Sequence, residues 1–415
     1  MNIWIVSSGE PLPIDPGKPR LRRMGLLADV LNKLGHDVHW FSSSFHHYKK
    51  EHRSLQNKDI AINDMYTIHL LKTKGYKRNI SLQRIMNQRE LSEKFNIKAE
   101  SLKKPDVIIA TMAPLQLSKS VVEFGEKNNI PTVIDIRDLW PEIYYEAFNG
   151  WKKKLIIPYV KYSEKRLIST LRKSTSIIGV TPGFLEYGLN LAKIQKRKYD
   201  DVFYTSYKQP DYNKYKNRFE DYWGQYGLKK DDFIVTFLGN FGRQFVLEPV
   251  IEAARKLSHI KGLKFVLCGT GESLDRIKSN TKDTENIIFP GWIEEKQIYS
   301  LLSNSDLGIA PYKNSINFTK NTPNKFGEYL SASLPILMSV DGIMEDLAEK
   351  YNCGRRYRTS EELAKYIIEF KNNSQKLCAM KKNAEQLYQD KFNAEEVYQK
   401  LSLHLTTIVK EVRSK

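Results

Sequence analysis

Cysteine is scarce in this 415-residue chain: Cys268, Cys353 and Cys378 lie far apart, with no CxxC and no histidine at ligand spacing. That excludes a disulfide framework and a thiolate zinc site, and it fits a reducing, cytoplasmic compartment. Long apolar runs are also missing. Val107–Ala110 and Leu334–Met338 stop well below the roughly 18 residues that a membrane-spanning helix needs. Ile3–Val6 is too short, and has no basic residues before it, for an export signal. Acids are outnumbered, 48 against 66 Lys and Arg, which leaves a net charge of +18. An anionic partner is expected: nucleic acid, an anionic membrane face or a phosphorylated small molecule. No Asp-x-Asp follows a strand, because two residues separate Asp135 from Asp138, and no Ser-His-Asp arrangement is readable. No metal and no cofactor is expected.

What the chain does contain is ordinary globular material, 41% hydrophobic and 11% aromatic, and its length favours two domains. Short apolar strands alternate with amphipathic helices. In the first half, strands are expected at Asn2–Ser7, Asp37–Phe41, Asp106–Ala110, Thr132–Ile136 and Ser176–Val180. Helices are expected at Arg20–Leu34, Leu115–Lys127 and Trp151–Thr170. Lys196–Tyr222, rich in Tyr, Lys, Asp and Asn, reads as an interdomain junction. The pattern then restarts with strands at Asp232–Leu238, Lys264–Cys268, Ile287–Phe289, Asp306–Ala310 and Pro335–Ser339. The helices between them are Val246–Leu257, Glu294–Ser303 and Pro323–Ala332. From Glu361 the text is helical and charged. Strands without polar alternation are covered on both faces, so each half reads as an α/β doubly wound parallel sheet. The expected fold is two Rossmann-like domains facing a central cleft, residues 1–205 and 206–385, with residues 386–415 crossing back over the first. Ligands of such sheets sit beyond the carboxyl ends of the strands.

Lys320-Asn-Thr-Pro-Asn-Lys-Phe-Gly-Glu328 carries the densest chemistry. Thr322 suits an N-cap and Pro323 the first helical position, so a helix should begin at a loop holding Lys320, Asn321 and Thr322. Backbone donors and the helix dipole there suit a phosphate. Glu328, further along the helix, could accept two ribose hydroxyls or be a solvated helical acid; spacing alone leaves both open. Gly239-Asn-Phe-Gly242 lets a backbone approach a ligand, and Arg243 beside it could grip a diphosphate bidentately or be an exposed loop arginine. Gly269-Thr-Gly271 follows a strand, but a lone GxG marks any tight turn. Asp135-Ile-Arg137-Asp138 ends a buried strand with three charges, either at a cleft or as a structural ion pair.

Pro323-Asn-Lys-Phe-Gly-Glu-Tyr-Leu-Ser-Ala-Ser-Leu-Pro335 resembles the donor-site motif of the family 4 retaining glycosyltransferases of the GT-B fold. Lys104-Pro-Asp-Val-Ile-Ile-Ala110, Ile130-Pro-Thr-Val-Ile-Asp-Ile-Arg-Asp-Leu-Trp-Pro-Glu142, Gly179-Val-Thr-Pro-Gly183 and Pro290-Gly-Trp-Ile-Glu294 resemble blocks of the bacterial subgroup that builds O-antigens and capsules. The resemblance implies that Glu328 binds a ribose, and that Ile293 and the Pro290-Gly291 turn hold a base. It also implies that Gly239, Gly242, Gly269, Lys320, Asn321, Thr322 and Lys325 bind the donor, with Arg243 at the diphosphate. Arg137 aligns where relatives have a histidine near the reacting sugar, with Asp138 beside it. For the long proline-rich loop Ser8–Arg20 the resemblance implies an acceptor or diphosphate role, with Gly17, Lys18 and Arg20 its candidate residues. Two departures stand out. Lys320 replaces a donor-sugar glutamate, and the family's diphosphate Arg and Lys align near Asn240 and Phe245.

The implied activity is a metal-independent retaining transfer of a hexosyl or N-acetylhexosaminyl group. The donor would be a nucleoside-diphosphate sugar, UDP first among them, and the acceptor lipid-linked or an oligosaccharide. Two alternatives stay open: a nucleotide-sugar epimerase-like GT-B enzyme, and a basic nucleic-acid-binding protein, although no RNA or DNA module is present. Trp151–Lys173 and Lys72–Lys104 are strongly basic, so peripheral attachment to an anionic membrane is expected. The basic helix face could equally be solvated. His46-His47 could line the acceptor side, whereas His39 reads as packing.

Overall fold

The computed structural model describes residues 1–17, 19–142 and 151–414. Lys18 therefore lies outside the described residues, as do the side chains of Trp151, Lys152 and Lys153. The chain divides into two compact units, Met1–Tyr204 with Glu395–Lys415, and Thr205–Ala394.

The first unit contains β1 (Asn2–Val6), β2 (Asp37–Ser43), a small hairpin of β3 (Phe45–His46) and β4 (Glu51–His52), β5 (Lys58–Asn63), β6 (Tyr66–Leu71), β7 (Val107–Thr111), β8 (Thr132–Ile136), β9 (Ser176–Gly179) and β10 (Asp201–Val202). Its main sheet has the order β10-β9-β8-β7-β1-β2-β6-β5. Every pairing is parallel except β5 with β6. β7, β8 and β9 are buried throughout, their mainly apolar text interrupted by a few buried polar residues, Asp135 among them. Trp4, Phe41, Phe95, Phe124, Ile134 and Leu167 meet in the core. Helix Trp151–Lys173 buries Val160, Leu167 and Leu171, while Leu155 and Tyr162 stay exposed.

The antiparallel β5 departs from the all-parallel expectation. Asn63 accepts the Met65 N–H at 2.9 Å, an Asx turn that reverses the chain into β6. β5 is almost wholly exposed, an edge strand with too little apolar text to be read as one. Helix Leu82–Glu100 was likewise illegible, because Asn87 and Ser92 share its buried face with Leu91 and Phe95.

The second unit contains β11 (Phe233–Leu238), β12 (Leu263–Cys268), β13 (Ile287–Gly291), β14 (Leu307–Ala310), β15 (Ile336–Met338) and β16 (Gly354–Arg356). They form one parallel sheet in the order β13-β12-β11-β14-β15-β16. Counted from its first strand this is 3-2-1-4-5-6, the dinucleotide-fold order, and the strands β6-β2-β1-β7-β8-β9 of the first unit repeat it. The order reverses between β11 and β14, and between β1 and β7.

The chain leaves the first unit after Tyr204, inside the expected junction, and returns at Glu395 rather than 386. Nine further residues stay with the second unit because they are anchored there. Tyr388 donates its hydroxyl to the Tyr207 carbonyl at 2.7 Å, and Phe392 packs edge-on to Phe326. Helix Ala394–Arg413 then buries Tyr398, Leu401, Leu405 and Ile408. It belongs to the first unit, where Ser402 meets His36 at 3.3 Å and Phe203 lies 5.2 Å from His404, ring to ring.

Candidate active site

In the second unit the residues singled out by sequence gather at the switch point between β11 and β14. Tyr329 is what fixes them there. Its fully buried hydroxyl accepts the Leu238 N–H at 3.0 Å and donates to the Ile309 carbonyl at 3.3 Å, joining the ends of the two diverging strands. Its ring fills the space over Gly308, where a Cβ would come within 2.6 Å of it. Helix Asn324–Ser331 is thereby held against the carboxyl end of the sheet, and Glu328 comes with it. Sequence reasoning named Glu328 and missed the tyrosine next to it; Gly308 in an otherwise apolar strand was the available signal.

That helix begins one residue later than expected. Pro323 is the N-cap, and its carbonyl accepts from Phe326 N at 2.8 Å. Thr322 is not the cap: it is buried, and its hydroxyl has no hydrogen-bond partner among the described residues. Lys320 and Asn321 are half-buried in the loop before it. Gly342, at φ 91°, abuts the Thr319 carbonyl so closely that a Cβ would overlap it, which seats that loop.

Lys325 turns back over β11. Its ammonium lies 4.5 Å from the centre of the Phe245 ring, with Phe237 at 5.6 Å and Tyr312 at 5.7 Å. A Cβ on Gly239 would sit 2.6 Å from both Cε and Nζ, so glycine is what lets the cation reach the loop backbone. Burial lowers the Lys325 pKa to about 8, against the opposing charge of Glu328.

The two glycine loops stack on one another. Phe241 N donates to the Thr270 carbonyl at 2.8 Å, Gly239 N to Cys268 at 3.0 Å and Gly269 N to Gly291 at 2.7 Å. Gly269 has φ 133°, and a Cβ there would overlap the Gly239 carbonyl. Gly269 therefore shapes the site by supporting Gly239. Gly242 is less constrained, its would-be Cβ meeting the side-chain amides of Gln244 and Asn240 rather than backbone. Arg243 is 85% exposed and pairs with Glu272 at 3.0 Å. Gly291 makes the turn at φ 81°, with Trp292 exposed and Ile293 buried after it.

The first unit holds a separate charged cluster beyond β1 and β8. Asp135, one of the three charges considered for a cleft, is instead wholly buried in a bidentate pair with Arg23, at 2.8 and 2.9 Å. The same guanidinium donates to the Phe203 and Tyr204 carbonyls at 2.8 and 3.1 Å. Every polar atom of the carboxylate pair is turned to structure. Arg137 pairs with Glu10, whose other oxygen accepts Met24 N at 3.0 Å at the start of helix Arg23–Lys33. Burial disfavours the Arg137 charge, but Glu10, Asp135 and Asp138 outweigh it and raise its pKa. Desolvation raises the pKa of Asp138, against the opposing charge of Arg137 and with Asp135 adding to the rise.

The proline-rich loop is pinned. Asp15 accepts from Leu12 N at 2.9 Å and from Arg53 at 2.5 and 2.8 Å. Gly17, at φ 88°, faces open space, and Arg20 is exposed. Glu10, Arg53 and Arg23 were not read as site-shaping from sequence, because their partners lie 38 to 127 positions away.

Residues 219–387 match the family of glycosyl transferases group 1. The chain is 14% identical to sucrose-phosphate synthase from Thermosynechococcus elongatus, whose structure it matches with TM-score 0.71, over 99% of both chains. Anabaena HepE in complex with UDP is 15% identical and gives TM-score 0.67, over 98% of this chain and 100% of that one. The fold is GT-B. A further similarity is to the alpha-monoglucosyldiacylglycerol synthase of Acholeplasma laidlawii, 24% identical over 155 residues. That stretch is 36% of this chain and 38% of the relative. The matched segment spans the loops and helix described above, from the Gly239 loop to Glu328. Among the described residues no helix is long and apolar enough to cross a membrane, and no group of three His, Cys, Asp or Glu is placed to hold a metal ion.

Proposed function

We propose that the protein is a retaining glycosyltransferase of family 4 type. In this reading it moves a hexosyl or N-acetylhexosaminyl group from a nucleoside-diphosphate sugar, UDP-linked, to a lipid-linked or oligosaccharide acceptor during assembly of a bacterial surface polysaccharide. The observation that carries this reading is the fixing of Glu328 and Lys325 at the β11–β14 switch point by Tyr329. Glu328 accepts the ribose hydroxyls, and Lys325 with the amides of the Gly239 loop takes the diphosphate. The backbone around Gly291–Ile293 receives the base. Lys320, Asn321 and Thr322 flank the donor phosphates, and Arg243 reaches them by exchanging Glu272 for the diphosphate.

The chemistry is leaving-group stabilisation. As the sugar–oxygen bond breaks, charge grows on the diphosphate, and a preorganised cation with backbone donors offsets it without a metal ion. In the first unit this reading gives Arg137, fixed by Glu10, and Asp138 a role toward the sugar, and the segment of Gly17, Lys18 and Arg20 a role toward the acceptor or diphosphate. The basic helix Trp151–Lys173, with Leu155 and Tyr162 exposed, attaches the enzyme to the cytoplasmic face of an anionic membrane.

Glu328→Ala tests the assignment. Two charged hydrogen bonds are lost, so UDP affinity should fall by about a hundredfold or more while the thermal unfolding midpoint holds. Unchanged UDP affinity in calorimetry would refute the ribose role.

A further inference from the structure

Helix Leu82–Glu100 carries apolar side chains on two opposite sides, and only one of them meets the core. Leu91, Phe95 and Ala99 are buried in the core of the first unit. On the other side Leu82 is 78% exposed, Met86 59% and Ile97 75%. Arg89 and Glu93 lie between them, both exposed, and pair at 3.0 Å. At 3.6 residues per turn the five side chains fall within an arc of about 80° and run about 22 Å along the axis. Their spacing of four, three, four and four positions is close to that of a helix-pairing seam. Single exposed apolar residues are ordinary, but three on one line of a helix whose core face is already filled mark a contact surface.

The order of the charges selects what that surface meets. From Met86 to Ile97 the line reads apolar, cation, anion, apolar, and reversed it reads apolar, anion, cation, apolar. A second copy of this helix, laid antiparallel and centred level with Leu91, therefore sets Arg89 level with Glu93 of the copy, and Glu93 level with its Arg89. Met86 then falls within one residue, about 1.5 Å, of the level of Ile97 in the copy. A parallel copy would instead set Arg89 against Arg89 and Glu93 against Glu93. The pair within one helix competes weakly, because it is exposed and its cation precedes its anion, the less favourable order at four-residue spacing. Between two helices, flanked by apolar contacts, the same charges fix partner and register.

We infer that the outward face of helix Leu82–Glu100 is a self-association surface, which pairs antiparallel with the same helix of a second copy of this chain. Its five side chains fall short of the roughly 20–30 residues a side of a stable interface, so the dimer is weak and forms as concentration rises. The inference stands apart from the donor site and from the transferase reading.

Sedimentation velocity of the full-length protein tests it, and the unaltered chain should pass from monomer to dimer between about 1 and 300 μM. Arg89→Glu and Glu93→Arg should each weaken dimerisation about tenfold or more, because each sets like charges level across the pair, while the thermal unfolding midpoint holds. An equimolar mixture of the two variants should dimerise again, since each copy supplies the charge the other needs. A role confined to one helix cannot produce that rescue. A monomer at every concentration would overturn the proposal, and if that monomer floats with anionic vesicles and loses them on Met86→Ser, the face belongs to a membrane. A dimer unchanged by both charge variants, or a mixture no tighter than either variant alone, would equally overturn it.

Discussion

Lys325 shows how one side chain couples stability to function. Its pKa of about 8, against an ordinary 10.5, reflects burial among Phe237, Phe245 and Tyr312. Donor binding needs the charged form, so UDP affinity should decline as pH rises above about 8. The decline is shifted upward to the extent that bound diphosphate holds the proton, and Lys325→Arg should flatten it. Stability runs the other way. The folded pKa is depressed, so between about 8 and 10.5 the unfolded chain binds more protons and the unliganded protein gains stability with pH. Calorimetric UDP titrations at pH 7 and 9.5, beside urea unfolding at both, measure the two signs. A pH-independent UDP affinity would contradict the role given to Lys325. Glu328 and Lys325 were legible in sequence through the resemblance of Pro323–Pro335 to a donor-site motif, since spacing alone left the role of Glu328 open. The aromatic surround of Lys325 was not, since Phe237 and Phe245 come from a strand and loop some eighty positions earlier.

At the scale of elements, the site depends on loops that brace each other through backbone. In the second unit the strands β11 to β15 were readable, because apolar runs punctuated by glycine leave little choice, whereas β16 and the helix Ile343–Lys350 were not read. The one-residue shift at Pro323 and the supporting role of Gly269 were not readable. The role of Gly269 depends on the Gly239 carbonyl, thirty positions earlier, and the shift on the Pro323 carbonyl, not the Thr322 hydroxyl, closing the first turn. Gly269→Ala should cost at least about 2 kcal/mol, since it combines a left-handed φ of 133° with overlap of the Gly239 carbonyl. Denaturant unfolding gives the cost, and UDP affinity should fall with it as Gly239 is displaced. A neutral Gly269→Ala would mean that the two loops do not brace each other. In the first unit the less legible elements are β5 and helix Leu82–Glu100, where polar residues occupy positions that period-based reading assigns to the core.

At the scale of the whole molecule, the repeated strand order makes two units of one plan, and the chain's last helix is stitched into the first of them. Lys198 and Tyr199 both reach Glu411 at 2.5 Å, and Val397, Tyr398, Leu401 and Leu405 are buried. Truncation after Ala394 should therefore destabilise the first unit selectively. Hydrogen exchange would show β1, β7 and β8 losing protection while β11, β12 and β14 keep theirs; equal loss in both would contradict the division. Charge patterning made the helices from Glu361 onward legible, but not that residues up to Ala394 stay with the second unit.

The central claim is that one nucleotide is held at the β11–β14 switch point. Hydrogen exchange of the full-length protein with and without UDP tests it most directly. The account predicts new protection at the amides of Gly239–Arg243, Gly291–Ile293 and Lys320–Glu328, abolished in Glu328→Ala. Protection confined to other segments, or none at saturating UDP, would contradict it.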